Sequence, residues 1–501
     1  MRGLGAALST VTVVLPSVGA SRAAAAEPIE LGSRLELLLD NDLAERLSGS
    51  TELRLHHPVR REVAITFDRP WEGNACGFCT VIQDGGLYRL YYRGSCMQIG
   101  AGRIDYTHPE VTCYAESRDG ITWTRPNLGI VEYAGSTQNN IILMGSALGE
   151  GAGNGISHNF SPMLDTNPDC KPSERFKALG GCGHGLLALK SADGVHWALL
   201  SAKPVVTEGA FDSQNLAFWD PLRACYIEYH RAGREGRDVM VSTSKDFLTW
   251  SKPEWLDYTP GRLTELYTNQ IQPYYRAPHL YLGFPTRYVA GRGWYSPLNQ
   301  DISKLSGCQR CGTDYTDTGF ISSRDGKTFK VWSEAFVRPG PVSALWMYGF
   351  GYAALGLAET ASNLPGGPPE LSFYITDAGG WTGPGNSLRR YTLRLDGFVS
   401  VAAPLAGGEV VTKPLLFTGE RLRINFETSV AGSLQIEIQD AEGAAIPGFA
   451  LAECPALFGN STDYAVEWTS KAKLAGLVGR PIRLRFVLRD ADLFAFRFAQ
   501  E

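Results

Sequence analysis

Short runs in which apolar and polar residues alternate recur along most of this chain, and turn residues close each run. Residues 87–93 form such a run, and residues 111–115 and 239–243 form two others. Side chains of a strand point alternately to its two faces, so alternation of this kind predicts half-buried β-strands. The many glycines and aromatic residues fit short strands joined by tight turns better than long helices. The pattern therefore predicts an all-β protein.

The turns after several of these runs share one motif, in which Ser is followed two positions later by Asp and six positions later by an aromatic residue. Asp-Gly supplies a tight turn, because Gly accepts a positive φ and Asp can accept a hydrogen bond from its own backbone. We therefore interpret these Asp residues as turn formers and not as catalysts. The copies are residues 117–123, 191–197, 244–250 and 323–329, with a degenerate fifth at 376–381.

These turns divide the chain into five units, each an up-and-down set of three or four strands. Radial repetition of such units is a β-propeller. The spacing between the turns is uneven, which favours an enzyme-type propeller with long insertions. The largest insertion, residues 289–318, is rich in Gly, Ser and Asp and is predicted to be a surface loop. From residue 407 the strands become shorter and alternate again, which predicts a β-sandwich.

The predicted architecture is thus a five-bladed β-propeller followed by a C-terminal β-sandwich. Residues 1–26 are predicted to be an export signal, because a short apolar run precedes a cluster of small residues. Residues 27–74 lead into the propeller at 75–406, and the sandwich occupies 407–501. No later apolar run is long enough to span a membrane. These features predict a protein exported to the periplasm or the outside of the cell.

Charge and cysteine content narrow the functional classes. The formal net charge of -5 argues against a nucleic-acid partner. Cys76 and Cys79 would point to opposite faces of a strand, which makes a poor metal clamp. Cys308 and Cys311 could form a local disulfide or half of a metal site, and residues 170 and 182 could also pair. Disulfides or buried thiols are favoured, and neither a metal nor a cofactor is predicted. The oligomeric state is left open.

Acidic residues stand just before the first strand of three units, where a propeller would direct them into the mouth of its channel. These residues are Glu72, Asp212 and Glu265, each followed closely by Asn. Converging carboxylates have different pKa values, as glycoside hydrolysis requires of its acid and its nucleophile or base. Neighbouring polar side chains are predicted to bind sugar hydroxyls, namely Asn74, His158, Asn159, Asp165, Gln214, Asn269 and Arg287.

Three stretches resemble exported bacterial proteins described as family-32-like glycosyl hydrolases, within the five-bladed glycoside hydrolase families 32, 43 and 68. They are Asp-Arg-Pro-Trp-Glu-Gly at 68–73, Phe-Asp-Ser-Gln-Asn at 211–215, and residues 483–493. The resemblance implies a carboxylate set, carried here by Glu72, Asp212 and Glu265. Our hypothesis for their roles takes Glu265 as the general acid and Glu72 or Asp212 as the nucleophile or base. The invertase-type motifs are absent, and Trp219-Asp220-Pro221 reads as a hairpin turn, so fructan or sucrose specificity is not implied.

Two other functions remain open at this stage. The Ser-x-Asp-Gly-x-Thr-Trp turn resembles the Asp-box of sialidases, which are six-bladed and use an arginine triad with a Tyr nucleophile. This chain has five units and no evident arginine set, so we rank the sialidase hypothesis below that of a glycoside hydrolase. A non-catalytic propeller that binds glycans is the alternative outside the enzymes. A lyase that acts on glucans or uronans is a further enzyme hypothesis. The first expectation is a glycoside hydrolase acting on a plant, algal or microbial glycan.

Overall fold

The computed structural model describes residues 27–148, 155–181, 183–377, 381 and 385–500, and these are nearly all β-structure. The all-β prediction is therefore confirmed. The predicted export signal at 1–26 lies outside the described residues, so export stays a prediction. Within the described ranges, no helix has the length and apolar character needed to cross a bilayer. The α-helices are Ile156–Asn159, Pro297–Ser306 and Gln309–Thr313, and the 3-10 helices are Gly145–Leu148, Pro172–Glu174, Ser343–Leu345, Leu451–Glu453 and Leu474–Leu477.

Five antiparallel sheets follow one another along the chain, and we number them meanders 1 to 5. Meander 1 contains Gly77–Asp84, Leu87–Gly94, Val111–Ser117 and Ile141–Met144. Meander 2 contains Ser161–Leu164, Phe176–Gly180, Leu187–Ser191 and Ala198–Leu199. Meander 3 contains Leu216–Asp220, Cys225–Gly233, Arg237–Ser244 and Glu254–Trp255. In each of the three, consecutive strands pair in chain order, as the sequence predicted.

The last two meanders recruit a strand from elsewhere in the chain. Meander 4 contains Gln272–Tyr274, Ala277–Gly283, Ile321–Ser323 and Thr328–Val331, with the earlier strand Asp257–Thr259 parallel at its edge. Meander 5 contains Tyr352–Ala353, Ala358–Thr360, Glu370–Asp377, Ser387–Arg394 and the N-terminal strand Val59–Thr66. A smaller sheet joins Glu265–Leu266, Thr286–Val289 and Tyr315–Thr318, and a hairpin joins Met97–Gly100 to Arg103–Tyr106.

The Ser-x-Asp turns lie between the third and fourth strands of meanders 1 to 4. In the first, the Asp119 carboxylate accepts hydrogen bonds from the backbone N–H groups of Ile121 and Thr122, both at 2.8 Å. Ser117 Oγ accepts the N–H of Gly120 at 2.9 Å. Asp193, Asp246 and Asp325 make the same bonds in the other copies. The turn-forming role is confirmed there, and residues 378–380 of the fifth copy lie outside the described residues.

Hydrophobic clusters join the meanders in succession. Tyr91 of meander 1 packs with Phe176 of meander 2, and similar clusters join meanders 2 to 3, 3 to 4, and 4 to 5. A further cluster joins meander 5 back to meander 1, with Tyr374 buried beside Tyr88. Each meander therefore has an apolar partner on both sides, and the contacts return to their starting point.

Buried amides link the first strands of these meanders. Gln214 donates to Thr80 Oγ1 at 2.8 Å and to the Cys79 carbonyl at 3.2 Å. Gln270 donates to Gln214 Oε1 at 2.6 Å and to the Ala353 carbonyl at 2.8 Å. Both glutamines are inaccessible to solvent. We call this set the central amide bridge, and it joins meanders 1, 3, 4 and 5.

The C-terminal sheet is larger than the sequence predicted, because N-terminal strands join it. The long strand Ile482–Ala499 pairs with Arg421–Asp440 along most of its length. The edge strand Ile29–Gly32 pairs in parallel with Leu415–Phe417. The remaining strands of this ten-stranded sheet are Glu36–Leu37, Ala44–Gly49, Glu52–Leu55, Val399–Ala403, Gly408–Thr412 and Asn460–Ala465. Residues 29–55 are thus built into the C-terminal sheet, whereas Val59–Thr66 joins meander 5.

The prediction of a surface loop at 289–318 is wrong. The helix Pro297–Ser306 begins at a proline, with Asn299 Oδ1 accepting the N–H of Ser296 at 3.0 Å, and ends at Gly307 with φ 64°. Proline at the first position and a left-handed glycine after the last are typical helix boundaries. The short helix Gln309–Thr313 follows directly, and this segment carries side chains into the cavity described below.

The central amide bridge predicts a measurable loss of stability. Gln214→Ala removes the amide partner of the buried Thr80 hydroxyl, leaves the Gln270 amide with the Ala353 carbonyl alone, and opens a small cavity. We expect the free energy of unfolding to fall by about 2–4 kcal/mol. Gln98→Ala, at an exposed position of a short hairpin, is the matched control and should change it by less than about 0.5 kcal/mol. Urea denaturation measures both, and equal effects of the two changes would contradict the role given to the bridge.

Candidate active site

A cavity of about 300 Å³ lies at the ends of the meanders' first strands. Meander 1 and the loop before it contribute residues 74–78 and Arg93, and the loops before meanders 2 and 3 contribute His158 and Asp212. The helical insertion contributes Cys308, Arg310 and Cys311. Other lining side chains include Tyr106, Tyr267, Tyr348, Tyr352, Trp381 and Asn386. Three of the residues that the sequence analysis singled out therefore line one cavity, namely Asn74, His158 and Asp212.

Aromatic rings form one wall of the cavity. The rings of Phe78 and Tyr352 stack at 6.1 Å, and those of Tyr352 and Tyr267 at 5.5 Å. Phe78 has φ 50°, a left-handed conformation that costs a non-glycine residue energy and recurs at functional sites. Tyr348 completes the group by hydrogen bonding to the Tyr267 hydroxyl at 3.2 Å. Such a wall offers apolar contact to one face of a ligand.

An imidazole between two carboxylates forms the charged centre of the site. His158 Nδ1 is 3.0 Å from Glu110 Oε2, and His158 Nε2 is 3.6 Å from Asp212 Oδ1. Asp212 is also 3.3 Å from Arg231 Nη2, while its side chain remains 65% exposed. Of the acidic side chains in the described part of the chain, Asp212 is the one that lines the cavity. Glu110 stands behind His158, on the far side of the ring.

The three charges shift one another's pKa values. Burial alone would lower the pKa of His158, but hydrogen bonds to Asp212 and Glu110 outweigh it and raise that pKa. Burial would raise the pKa of Asp212, yet His158 and Arg231 hold it below its ordinary value. The pKa of Glu110 is lowered in the same way by His158 and Arg93 against the effect of burial. The arrangement therefore favours the protonated form of the imidazole between two ionised carboxylates.

Arg93 stands close to the same imidazole. Its Nη1 lies 3.2 Å from His158 Nδ1, so Nδ1 would have to accept from Arg93 or donate to Glu110. Both oxygens of Glu110 lie nearer, at 3.0 and 3.1 Å. A carboxylate at that distance stabilises a ring N–H more than a neighbouring cation opposes it. We therefore assign the proton on Nδ1 to the hydrogen bond with Glu110.

The other two acids expected at the site lie outside the cavity lining. Glu72 is inaccessible to solvent, accepts from the Tyr92 hydroxyl at 2.5 Å and pairs with Arg125 at 3.0 Å. Glu265 pairs with Arg237 at 2.8 Å and also accepts the backbone N–H of that residue. The structure thus brings Asp212 to the cavity with His158 and does not bring Glu72 or Glu265 into that lining.

The expected sugar-binding amides bond mainly to backbone. Asn159 donates to the carbonyls of Gly181 and Phe211 at 2.7 and 2.6 Å. Asn269 accepts the N–H of Ile271 at 3.1 Å, and Gln214 belongs to the central amide bridge. Asn74 lines the cavity while its amide bonds both backbone groups of Met97 at 2.8 Å. These side chains hold the loops that shape the site.

Two further expected residues are remote from the cavity lining. Asp165 is buried against Lys177 and accepts the Tyr226 hydroxyl at 2.8 Å. Arg287 pairs with both oxygens of Asp317 at 2.7 Å. Sequence reasoning missed Glu110, Arg93 and Arg310, which carry no motif. Arg93 lies in a strand, Glu110 just before one, and Arg310 in the short helix Gln309–Thr313.

The cysteines described are all free thiols, and the expected disulfides do not form among them. Cys182 lies outside the described residues. Cys76, Cys308 and Cys311 line the cavity. Burial, with the neighbouring Cys308, raises the pKa of Cys311 to about 12, so this thiol is protonated at neutral pH. Among the described residues, no group of three or more His, Cys, Asp or Glu side chains is placed to hold a metal ion.

Distant structural likenesses exist, but no family model and no curated protein matches the chain. An N-acetylgalactosamine deacetylase from F. plautii is 13% identical and covers 68% of this chain and 94% of its own, at a TM-score of 0.41. A β-1,2-mannobiose phosphorylase from Listeria innocua is 10% identical over 68% and 99%, at 0.40. A glycosyl hydrolase from Bacteroides ovatus is 13% identical over 70% and 96%, at 0.37. Likenesses this distant carry no functional argument.

The charged centre predicts an elevated histidine pKa that depends on Glu110. We expect the His158 imidazole to titrate above its ordinary pKa of about 6.5, and Glu110→Gln to lower that pKa because the carboxylate that stabilises the imidazolium is lost. NMR titration of the ring protons, assigned by their disappearance in His158→Gln, measures this. Glu132→Gln, at an exposed position, is the control. A titration unaffected by Glu110→Gln would show that the two groups do not interact.

Proposed function

We propose that this chain is a glycoside hydrolase and that its reaction takes place in the cavity around Asp212. The observation that carries the proposal is the Glu110–His158–Asp212 arrangement, which places one exposed carboxylate and one imidazolium in the same cavity. The aromatic wall beside it, from Phe78 to Tyr267, suits the apolar face of a sugar ring. The substrate is a glycan, and no cofactor is required for this chemistry.

The architecture we propose with it is a five-bladed β-propeller followed by a β-sandwich. Five consecutive meanders with apolar clusters between each neighbouring pair, including the last and the first, support radial closure. The central amide bridge supports it as well, because it connects first strands of four meanders. Pairing of residues 29–55 with the C-terminal sheet supports adding that segment to the proposed sandwich at 407–501.

In the proposed reaction Asp212 and His158 act as a pair. The Asp212 carboxylate attacks the anomeric carbon, and the bond from that carbon to the leaving oxygen breaks. His158 Nε2 donates its proton to the leaving oxygen, while Glu110 stabilises the imidazolium beforehand. Water then cleaves the ester between Asp212 and the sugar, returning a proton to His158. The lowered pKa of Asp212 and the raised pKa of His158 suit these roles.

The short distance between the two groups favours retention of configuration. His158 Nε2 and Asp212 Oδ1 are 3.6 Å apart. Retaining enzymes hold their acid and nucleophile about 5 Å apart, whereas inverting enzymes need roughly 6.5–9.5 Å to admit a water molecule.

The expected carboxylates Glu72 and Glu265 take positioning roles in this proposal, since each pairs with an arginine, Arg125 and Arg237 respectively.

A sialidase-like hydrolase is the second candidate, because arginines stand beside tyrosines here. Arg93 and Arg310 line the cavity, together with Tyr267 and Tyr348. A Tyr nucleophile would need its pKa lowered, but burial and the neighbouring Tyr348 raise the pKa of Tyr267. We therefore favour Asp212 as the nucleophile. A glycan-binding protein without turnover remains an outcome that the following experiment can detect.

The proposal predicts which substitution abolishes hydrolysis. We expect wild-type protein to release sugars from at least one member of a panel of aryl glycosides, sialosides and plant or algal polysaccharides. Asp212→Asn should reduce kcat/KM by about 10³-fold, because the amide cannot attack the anomeric carbon. Asp105→Asn, an exposed acid near the cavity rim, is the matched control and should retain full activity.

Product analysis extends the same experiment. The first product should keep the anomeric configuration of the substrate, as followed by NMR. Equal activity of the Asp212→Asn variant and wild type would refute the assigned site. Loss of activity in Tyr267→Phe alone, with Asp212→Asn active, would favour the sialidase-like reading. If the protein binds glycans but releases no sugar from them, it is a glycan-binding protein and not a hydrolase.

A further inference from the structure

We propose that the cavity selects a sugar carrying an anionic group, the carboxylate of a uronate or a sulfate ester, and that Arg310 binds that group. This inference rests on the proposed function, because it assumes that a glycan occupies the cavity. It names the class of glycan, which the Asp212 and His158 pair alone leaves open.

Arg310 has no acidic partner of its own. Its guanidinium carbon lies 5.2 Å from the centre of the Tyr348 ring, and the side chain lines the cavity. No carboxylate in the described ranges lies within ion-pair distance of it, although arginines nearby are paired. The Arg310 side chain is exposed at the cavity, so its guanidinium can pair with a negative charge that a ligand supplies.

Arg93 presents a second guanidinium to the same space. It lies 4.7 Å from the centre of the Phe78 ring and donates to the Ala75 carbonyl at 2.9 Å. Its nearest carboxylate is Glu110 at 3.6 Å, and Glu110 is held more closely by His158. The buried Nε atom of Arg93 lacks a hydrogen-bond partner among the described residues. Arg93 therefore shares its nearest carboxylate with His158 and has none of its own.

The other charged groups around the cavity cancel one another. Arg231 lies over the Tyr267 ring at 5.1 Å and is paired with Asp212. Arg237 lies over the same ring at 5.3 Å and is paired with Glu265. Among the residues that line the cavity, the basic side chains are Arg93, His158 and Arg310, and the acidic one is Asp212. The unmatched positive charge is thus on the side of Arg93 and Arg310.

Arginine suits this task better than lysine. Its planar fork can donate two parallel hydrogen bonds to a carboxylate or to a sulfate ester. Tyr348 supports the face of the Arg310 guanidinium and limits its orientations. The helix Gln309–Thr313 thus presents a cation beside Tyr348, at the edge of the aromatic wall, where the anionic group of a bound sugar would lie.

Binding measurements separate this inference from catalysis. The Asp212→Asn variant serves as the background, so that no probe is consumed during calorimetric titration. The probes are oligogalacturonate, oligoglucuronate, sialyllactose and a sulfated galactose oligosaccharide, each with its neutral counterpart made by carboxyl reduction or desulfation. We expect at least one acidic probe to bind about tenfold or more tightly than its neutral counterpart. The identity of the probe that binds shows whether the cavity recognises a carboxylate or a sulfate ester.

A second substitution in that background tests the residue. Arg310→Gln should weaken binding of the acidic probe about tenfold or more and leave its neutral counterpart unchanged. Arg310→Lys should restore part of the loss. Arg292→Gln, on an exposed part of the same insertion, should have no effect.

The outcomes of the two proposals are distinguishable. If no acidic probe binds better than its neutral counterpart, or if Arg310→Gln changes nothing, the anionic-sugar inference is overturned, whatever the enzyme hydrolyses. If wild-type protein binds acidic probes through Arg310 but releases no product from them, the hydrolase proposal fails and this inference stands.

Discussion

The fold depends on how polar groups are satisfied where the first strands of the meanders meet. The side chains of Gln214 and Gln270 fill that position and hydrogen bond to each other, to Thr80 and to the Ala353 carbonyl. Gln214 donates to meander 1, and Gln270 donates to Gln214 and to meander 5. Because these hydrogen bonds link different meanders, they hold the strands in one mutual arrangement. The loops before those strands then meet at the same end, and the cavity forms there.

The charge pattern of the cavity follows from that arrangement. Loops before meanders 2 and 3 bring His158 next to Asp212, and the loop before the third strand of meander 1 brings Glu110 to the opposite side of the ring. Glu72 and Glu265 are instead paired with Arg125 and Arg237, outside the cavity lining. One carboxylate and one imidazolium are therefore left for chemistry, beside two guanidinium groups that a ligand can neutralise.

Local chemistry made part of this structure predictable from the sequence. The Ser-x-Asp turns predicted the junctions between strands because their hydrogen bonds lie within a few residues. The first strands that they located led to Asp212 and His158. The burial of Glu72 was not predictable, because it depends on Arg125, which is distant in sequence. Glu110 and Arg310 were missed for the same reason, and the helix from Pro297 was missed although its boundary residues were present.

The central claim is that an acidic glycan binds in the cavity against the aromatic wall, with its anionic group on Arg310 and its scissile bond at Asp212. A crystal structure of the Asp212→Asn variant soaked with the acidic oligosaccharide that binds most tightly tests it directly. The account predicts a sugar ring against Phe78 and Tyr267, with its anionic group within hydrogen-bond distance of Arg310 and its glycosidic oxygen near His158. An empty cavity, with the oligosaccharide bound on the C-terminal sheet, would contradict it.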